Sequence, residues 1–231
     1  LGEKNLTPLN YLSAPLPSSL TSPKDLLDFG GRVLTTDNIL ELLKSGKNIA
    51  ICSPGGSGKS STLSLIAQEL TAFHSDIEYL PVKLKLRSYS RNMLNQMIER
   101  ELDIGFGSWK SLPFKFFFLL DGLDEMLQCD TQAFFDDLAG TLDHYNYIVT
   151  LRDKGLGIET CSKTVDSCLL IQPLSYRSAF NIASAIFKSN ELDEFYEQYR
   201  SRLSSVEFDF FASPFVLSRS IEYYKKTKSS P

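Results

Sequence analysis

Apolar positions along the chain change period again and again, and each change marks an element. From Asp37 onward Ile39, Leu40, Leu42 and Leu43 fall at helical spacing, with Asp37 as a cap and Gly46 placed to end the helix in a left-handed turn. Lys47-Asn48-Ile49-Ala50-Ile51-Cys52 is then a short apolar run of strand length, and it leads straight into a glycine cluster. Beyond that cluster Leu63, Ile66, Ala67 and Leu70 return to the helical period. Tyr79-Leu80-Pro81-Val82-Lys83-Leu84-Lys85-Leu86 alternates as a half-buried strand does, and Pro81, which has no N–H for a ladder, puts its start near an edge or bulge. Met93, Leu94, Met97, Ile98 and Leu102 predict a helix, Phe116 to Leu120 a fully buried strand, and Phe134, Phe135, Leu138 and Leu142 another helix. Tyr147-Ile148-Val149-Thr150-Leu151 reads as a strand, Cys168 to Gln172 as one more, and the chain past Pro173 as wholly helical. Strands alternating with helices imply an α/β fold with a mostly parallel sheet flanked by helices, whose ligands sit at the carboxyl ends of the strands.

The pattern divides the chain into three parts. Residues 1–24 hold Pro8, Pro15, Pro17 and Pro23 among Ser, Thr and Leu, and read as a linker or N-terminal arm without regular structure. Residues 25–172 form the α/β domain, and residues 173–231 the start of a helical subdomain, in which Phe180, Ile182, Ala183 and Ile186 are expected in the core. The chain starts at Leu1 without a methionine and stops soon after a helical pattern, as a piece of a longer protein would.

Composition narrows the classes. With 42% hydrophobic and 23% charged residues in 231, the chain is neither disordered nor fibrous. A formal net charge of −4 gives no whole-chain attraction to a phosphate backbone or an anionic membrane, so nucleic acid is unsupported as a partner. No apolar stretch approaches a membrane span, and Cys52, Cys129, Cys161 and Cys168 form no C-x-x-C pair, which fits reduced thiols in a cytoplasmic protein.

The chemistry concentrates at two places. Ser53-Pro54-Gly55-Gly56-Ser57-Gly58-Lys59-Ser60-Ser61 lies between a predicted strand and a predicted helix, the setting in which backbone amides at a helix start face a phosphate. It matches the phosphate-binding loop G-x-x-x-x-G-K-[ST] except that Ser53 stands in place of the first glycine. Lys59 supplies a point charge to the β and γ phosphates, and the Ser60 hydroxyl is a Mg2+ ligand. The second place is Asp121-Gly122-Leu123-Asp124-Glu125, directly after the strand Phe116 to Leu120. Asp121 is positioned to hold Mg2+ through its water shell, and Asp124 or Glu125 to orient or deprotonate an attacking water. Thr150-Leu151-Arg152-Asp153 has leucine where the guanine-reading motif [NT]-K-x-D has lysine, which favours ATP over GTP.

Asp-Gly-Leu-Asp-Glu after a run of bulky apolar residues resembles the extended Walker B motif of the NACHT family, within the STAND class of signalling P-loop NTPases. Leu80-Pro-Val-Lys-Leu-Lys-Leu-Arg87 is similar to that family's second strand, and Ile148-Val-Thr-Leu-Arg152 to its sensor-1 strand, which implies that Arg152 reaches toward the γ-phosphate. Phe29-Gly30-Gly31-Arg32 resembles the motif that opens such domains near the adenine, and Ser213-Pro214-Phe215-Val216-Leu217 the proline-containing helix start of the first helical subdomain. The resemblance thereby implies Arg32 and Pro214 as nucleotide contacts. It also implies a slowly hydrolysing switch in innate immune or antiviral defence, resting with ADP and becoming a homo-oligomer with ATP and Mg2+. His74 and His144 fall in no motif and take no role.

Two other readings stand beside the switch. A continuously cycling ATPase of the AAA+ kind needs an arginine from a neighbouring subunit, which no feature of the chain identifies. A nucleotide-stabilised interaction module without turnover has only Ser53 in its favour.

Overall fold

Residues 11–15, 32–34, 36–72, 79–105, 109–126, 131–152, 161, 164–171, 173–174, 176–203 and 212–228 are described by a computed structural model. Contacts divide the chain into two compact units: Asn10–Pro54 with Lys59–Ile171, and Gln172–Pro231 with the short segment Gly55–Gly58.

In the larger unit the apolar runs become neighbouring strands of one sheet. Strands β1 (Tyr11–Pro15) and β2 (Arg32–Leu34) come first, then helix α1 (Thr36–Lys44) and strand β3 (Ile49–Cys52), all four residues of which are buried. Helix α2 (Lys59–Ala72), strand β4 (Tyr79–Lys85), helix α3 (Leu94–Glu101) and strand β5 (Lys115–Asp121) follow. Helix α4 (Thr131–Thr141), strand β6 (Asn146–Leu151) and strand β7 (Ser167–Ile171) complete the unit.

The sheet runs β2-β1-β7-β3-β6-β5-β4. Pairs β7–β3, β3–β6, β6–β5 and β5–β4 are parallel, whereas β1 pairs antiparallel with both β7 and β2. The mostly parallel sheet flanked by helices is therefore as its alternation predicts, and Pro81 does lie on an edge strand, β4. Sequence reading fails at β1. Tyr11–Pro15 forms a strand between β2 and β7 inside the proline-bearing segment expected to lack regular structure; its one proline, Pro15, is the last residue, beyond the Tyr11–Ser13 stretch that β2 pairs with, where a missing N–H interrupts little of the ladder.

Aromatic packing fixes the strand that carries the acidic motif. Phe116, Phe118 and Leu120 are buried with the fully enclosed Trp109, whose ring meets Phe116 and Phe118 edge-on at 5.6 and 5.5 Å. The Trp109 Nε1–H donates to Asn95 Oδ1 at 2.7 Å, which satisfies the one polar atom its burial would otherwise strand. Trp109 is a packing residue, the one role its place in a loop suggests.

The smaller unit is helical: α5 (Tyr176–Ser184), α6 (Ser189–Leu203) and α7 (Pro214–Thr227). Its core gathers Ala183, Phe187, Phe195, Tyr199, Leu217 and Tyr224. Of the four residues expected in that core, Ala183 is buried and Ile182 partly so. Phe180 and Ile186, by contrast, are exposed; Phe180 lies edge-on against Tyr196 at 4.9 Å near the surface. Helical spacing repeats on both flanks of a face, so it does not mark where burial ends. No helix among the described residues is long and apolar enough to cross a membrane.

Candidate functional site

Three adjacent parallel strands end together at the site. Chain reversals through helices bring the carboxyl end of β3, with the glycine loop, beside that of β6, with Arg152, and next to that of β5, with Asp121. Ser53, fully buried, donates its N–H to the Leu151 carbonyl at 3.3 Å and so ties the start of the loop to β6. The backbone of Ser53 lies outside the left-handed region, which explains why serine serves where the phosphate-loop pattern has glycine. Gly56 and Gly58, in contrast, have φ of +79° and +95°, which only glycine adopts without strain. Pro54 and Gly55 are exposed, Ser57 and Gly58 half-buried.

Lys59 opens α2, and its ammonium donates to the Ser53 and Pro54 carbonyls at 2.7 and 3.0 Å, bridging the mouth of the loop. One residue on, the Ser60 hydroxyl donates to Asp121 Oδ1 at 3.0 Å, joining helix start and strand end. Ser61, next on α2, is exposed. The same Asp121 oxygen accepts the hydroxyl of buried Thr150 at 2.9 Å, and Thr150 Oγ1 accepts the Gly122 N–H at 2.8 Å. Asp121 is thus aimed by a relay that runs from its own following residue through β6. Gly122 turns the chain at φ +84°, and a Cβ there would meet the Glu125 carboxyl carbon at 3.1 Å.

Asp124 and Glu125 lie on the short 3-10 turn Leu123–Glu125 and differ in what they touch. Asp124 Oδ1 accepts the Arg152 N–H at 2.9 Å, and its Oδ2 pairs with Arg152 Nε, also at 2.9 Å. Both carboxylate oxygens of Asp124 are therefore engaged by one residue, while Glu125 is exposed on the same turn.

Two participants are given no role by the sequence segments that contain them. Thr150 is one; the other is Lys83 of β4, whose Nζ donates to the Ser60 carbonyl at 3.0 Å and Ser64 Oγ at 2.9 Å, and lies 3.9 Å from Asp121 Oδ2. Burial lowers the Lys83 pKa from the ordinary lysine range, with the Asp121 charge acting in the opposite sense. Apart from the resemblance of Leu80 to Arg87, the sequence hint is a lysine between buried Val82 and Leu84, which alternation explains equally well as a solvated face.

The remaining assigned residues are placed as follows. Arg32 opens β2, where its backbone partners Ser13. Phe29, Gly30 and Gly31 lie outside the described residues, as do Cys129, Asp153 and His74. Pro214 is the first residue of α7, in the helical unit. Within that unit the Ser213 hydroxyl and the Phe215 N–H donate to the Gly56 carbonyl at 3.0 and 3.2 Å. His144 is on the surface beside Asp143. Cys52, Cys161 and Cys168 are buried free thiols, and the contact with Cys168 together with burial raises the Cys52 pKa, keeping that thiol protonated.

The donor set fits Mg2+. A serine hydroxyl and a carboxylate oxygen already in contact are hard oxygen ligands of the kind the ion takes with retained waters and phosphate oxygens. Among the described residues no group of three or more His, Cys, Asp or Glu could hold a metal by itself.

Comparison with solved structures defines the class of fold. Aeropyrum pernix Orc1, in a complex with DNA, superposes with a TM-score of 0.54 at 10% identity over 93% of this chain and 64% of that one. A point variant of Thermotoga maritima RuvB gives 0.51 at 9% identity over 83% and 61%. A second RuvB variant gives 0.50 at 10% over 84% and 62%. The fold is that of the AAA+ type of P-loop NTPase. The chain spans just over three fifths of the length of each of these structures. No family model and no curated protein matches the sequence.

Proposed function

We propose that the chain is the nucleotide-binding part of a P-loop ATPase, an ATP- and ADP-binding switch of the NACHT and STAND kind. The observation that carries the nucleotide reading is the 3.0 Å contact between Ser60 and Asp121, residues far apart in sequence that meet at the start of the helix following the glycine loop. Loop amides and the α2 terminus bind the phosphates, and Lys59 moves from its two carbonyls to phosphate oxygens. Ser60 and Asp121 hold Mg2+, which when bound screens the phosphate charge. Glu125, rather than Asp124, orients the attacking water, since Asp124 has both oxygens on Arg152. Arg152 stands at the sensor position and reports on the γ-phosphate by exchanging Asp124 for it. Arg32 and Pro214 are assigned to the nucleoside side by the family resemblance.

The switch reading needs two states with different affinities for ADP and ATP, because a nucleotide that binds both equally shifts neither. Homo-oligomerisation with ATP and a place in cytoplasmic immune or antiviral signalling follow from the same resemblance. Buried free thiols suit a reducing compartment. The second reading, a cycling ATPase, is favoured by the likeness to RuvB and Orc1. Because that Orc1 structure contains DNA, DNA belongs among the ligands to try despite the net charge of −4.

One experiment separates the readings. The purified protein is denatured, and the released nucleotide is identified and quantified by chromatography. ADP close to one equivalent supports the switch; an empty site supports the rapidly exchanging, cycling enzyme.

A further inference from the structure

The edge strand β4 brings a second lysine to a site that already has one. Lys59 faces the loop carbonyls, whereas Lys83 approaches from β4 and is pinned by the Ser60 carbonyl at 3.0 Å and Ser64 Oγ at 2.9 Å. That places its ammonium 3.9 Å from Asp121 Oδ2, on the oxygen opposite the one Ser60 and Thr150 hold. Both partners are well enclosed, with 27% of the Lys83 and 13% of the Asp121 side chain exposed. The geometry is that of a fixed cation on the carboxylate assigned to the metal.

We propose that Lys83 is a resident cation of the Ser60–Asp121 pair, a positioning residue that makes nucleotide binding less dependent on Mg2+ than in a site with an uncompensated aspartate. The inference rests on the nucleotide-site reading above. Its physics is plain electrostatics. An ammonium beside Asp121 attracts incoming phosphate and repels a dication bound to the same carboxylate. At a few ångströms and partial screening, each effect changes an equilibrium about tenfold. Loss of the charge therefore weakens metal-free nucleotide binding and tightens Mg2+ binding, so the two constants move apart. A lysine that merely tied α2 to β4 would, when removed, worsen both constants in parallel.

The test is the dissociation constant of a fluorescent ATP analogue measured with Mg2+ and with a chelator, in the wild type, Lys83→Met and Lys83→Arg. For the wild type the metal-free constant stays within about a hundredfold of the Mg2+ value; a thousandfold or greater loss overturns the proposal without any variant. Lys83→Met raises the ratio of the two constants about tenfold or more, and Lys83→Arg, which keeps the charge, leaves it within about threefold of wild type. An unchanged ratio in Lys83→Met, or a rise in Lys83→Arg equal to that in Lys83→Met, overturns the proposal. Lys83→Gln replaces Lys83→Met should the latter not fold. Lys59→Ala run alongside separates the two levels: wild-type affinity there removes the nucleotide site itself, whereas lost affinity there with an unchanged Lys83→Met ratio removes only the role of Lys83.

Discussion

Asp121 takes hydrogen bonds from Ser60 and Thr150 on one oxygen and faces Lys83 with the other, so its direction is fixed by three different elements. Removing the Thr150 hydroxyl takes away one of these and also strands the buried Gly122 N–H. Thr150→Val is therefore expected to cost about 1–3 kcal/mol in urea unfolding. It should in addition weaken nucleotide binding more with Mg2+ than without. The two acids of the following turn separate by the same logic. Glu125→Gln is expected to keep ATP affinity within about threefold while lowering hydrolysis by about 10²–10⁴, the range of one general base. Asp124→Asn frees Arg152 and is expected to change affinity for ATP relative to ADP; the measurement is paired titrations with both nucleotides. The phosphate loop and the acidic turn were legible in the sequence because each is a local pattern with a local purpose. Thr150 and Lys83 were not, since their contribution depends on which strands become neighbours.

Elements translate those residues into place. The apolar runs predict β3, β5 and β6 to within a residue or two, because a strand buried on both faces has no polar alternative. The antiparallel additions β1 and β2 escaped notice: β1 contains Pro15, and neither strand has a long apolar run. The turn after β5 shows how an element limits substitution. Gly122→Ala puts a Cβ at φ +84° and 3.1 Å from the Glu125 carboxyl carbon, so a loss of about 1–2 kcal/mol is expected for the left-handed backbone alone. Thermal unfolding checks the loss, and a displaced Glu125 should lower hydrolysis beyond it. Underneath, Trp109→Ala opens a cavity beside Phe116 and Phe118 and deprives Asn95 of its donor, for an expected 3–5 kcal/mol.

At the scale of the molecule, sheet order decides what the site can be. With β6 between β3 and β5, Arg152, the residue after β6, comes beside the turn that follows β5 and pairs with Asp124, a contact that the sensor-1 resemblance of Ile148 to Arg152 does not specify. The mostly parallel sheet flanked by helices was legible in the alternation of elements, whereas the strand order was not, and the signalling role rests on resemblance at Asp121 to Glu125 and a few shorter segments. A chain covering just over three fifths of its structural neighbours also leaves their remaining length without a counterpart here. Nucleotide that binds only the folded chain should stabilise it by about 2.7 kcal/mol at a hundredfold excess over its dissociation constant, a shift visible in a melting curve.

The central claim is that the loop Ser53 to Ser60, with Asp121, binds a nucleoside triphosphate. Calorimetric titration of ATP with Mg2+ into the wild type and into Lys59→Ala tests it most directly. Saturable binding of about one ATP per chain in the wild type, abolished in Lys59→Ala, is the predicted result; equal binding by both proteins, or no saturable binding of ATP or ADP by nucleotide-free wild type, contradicts it.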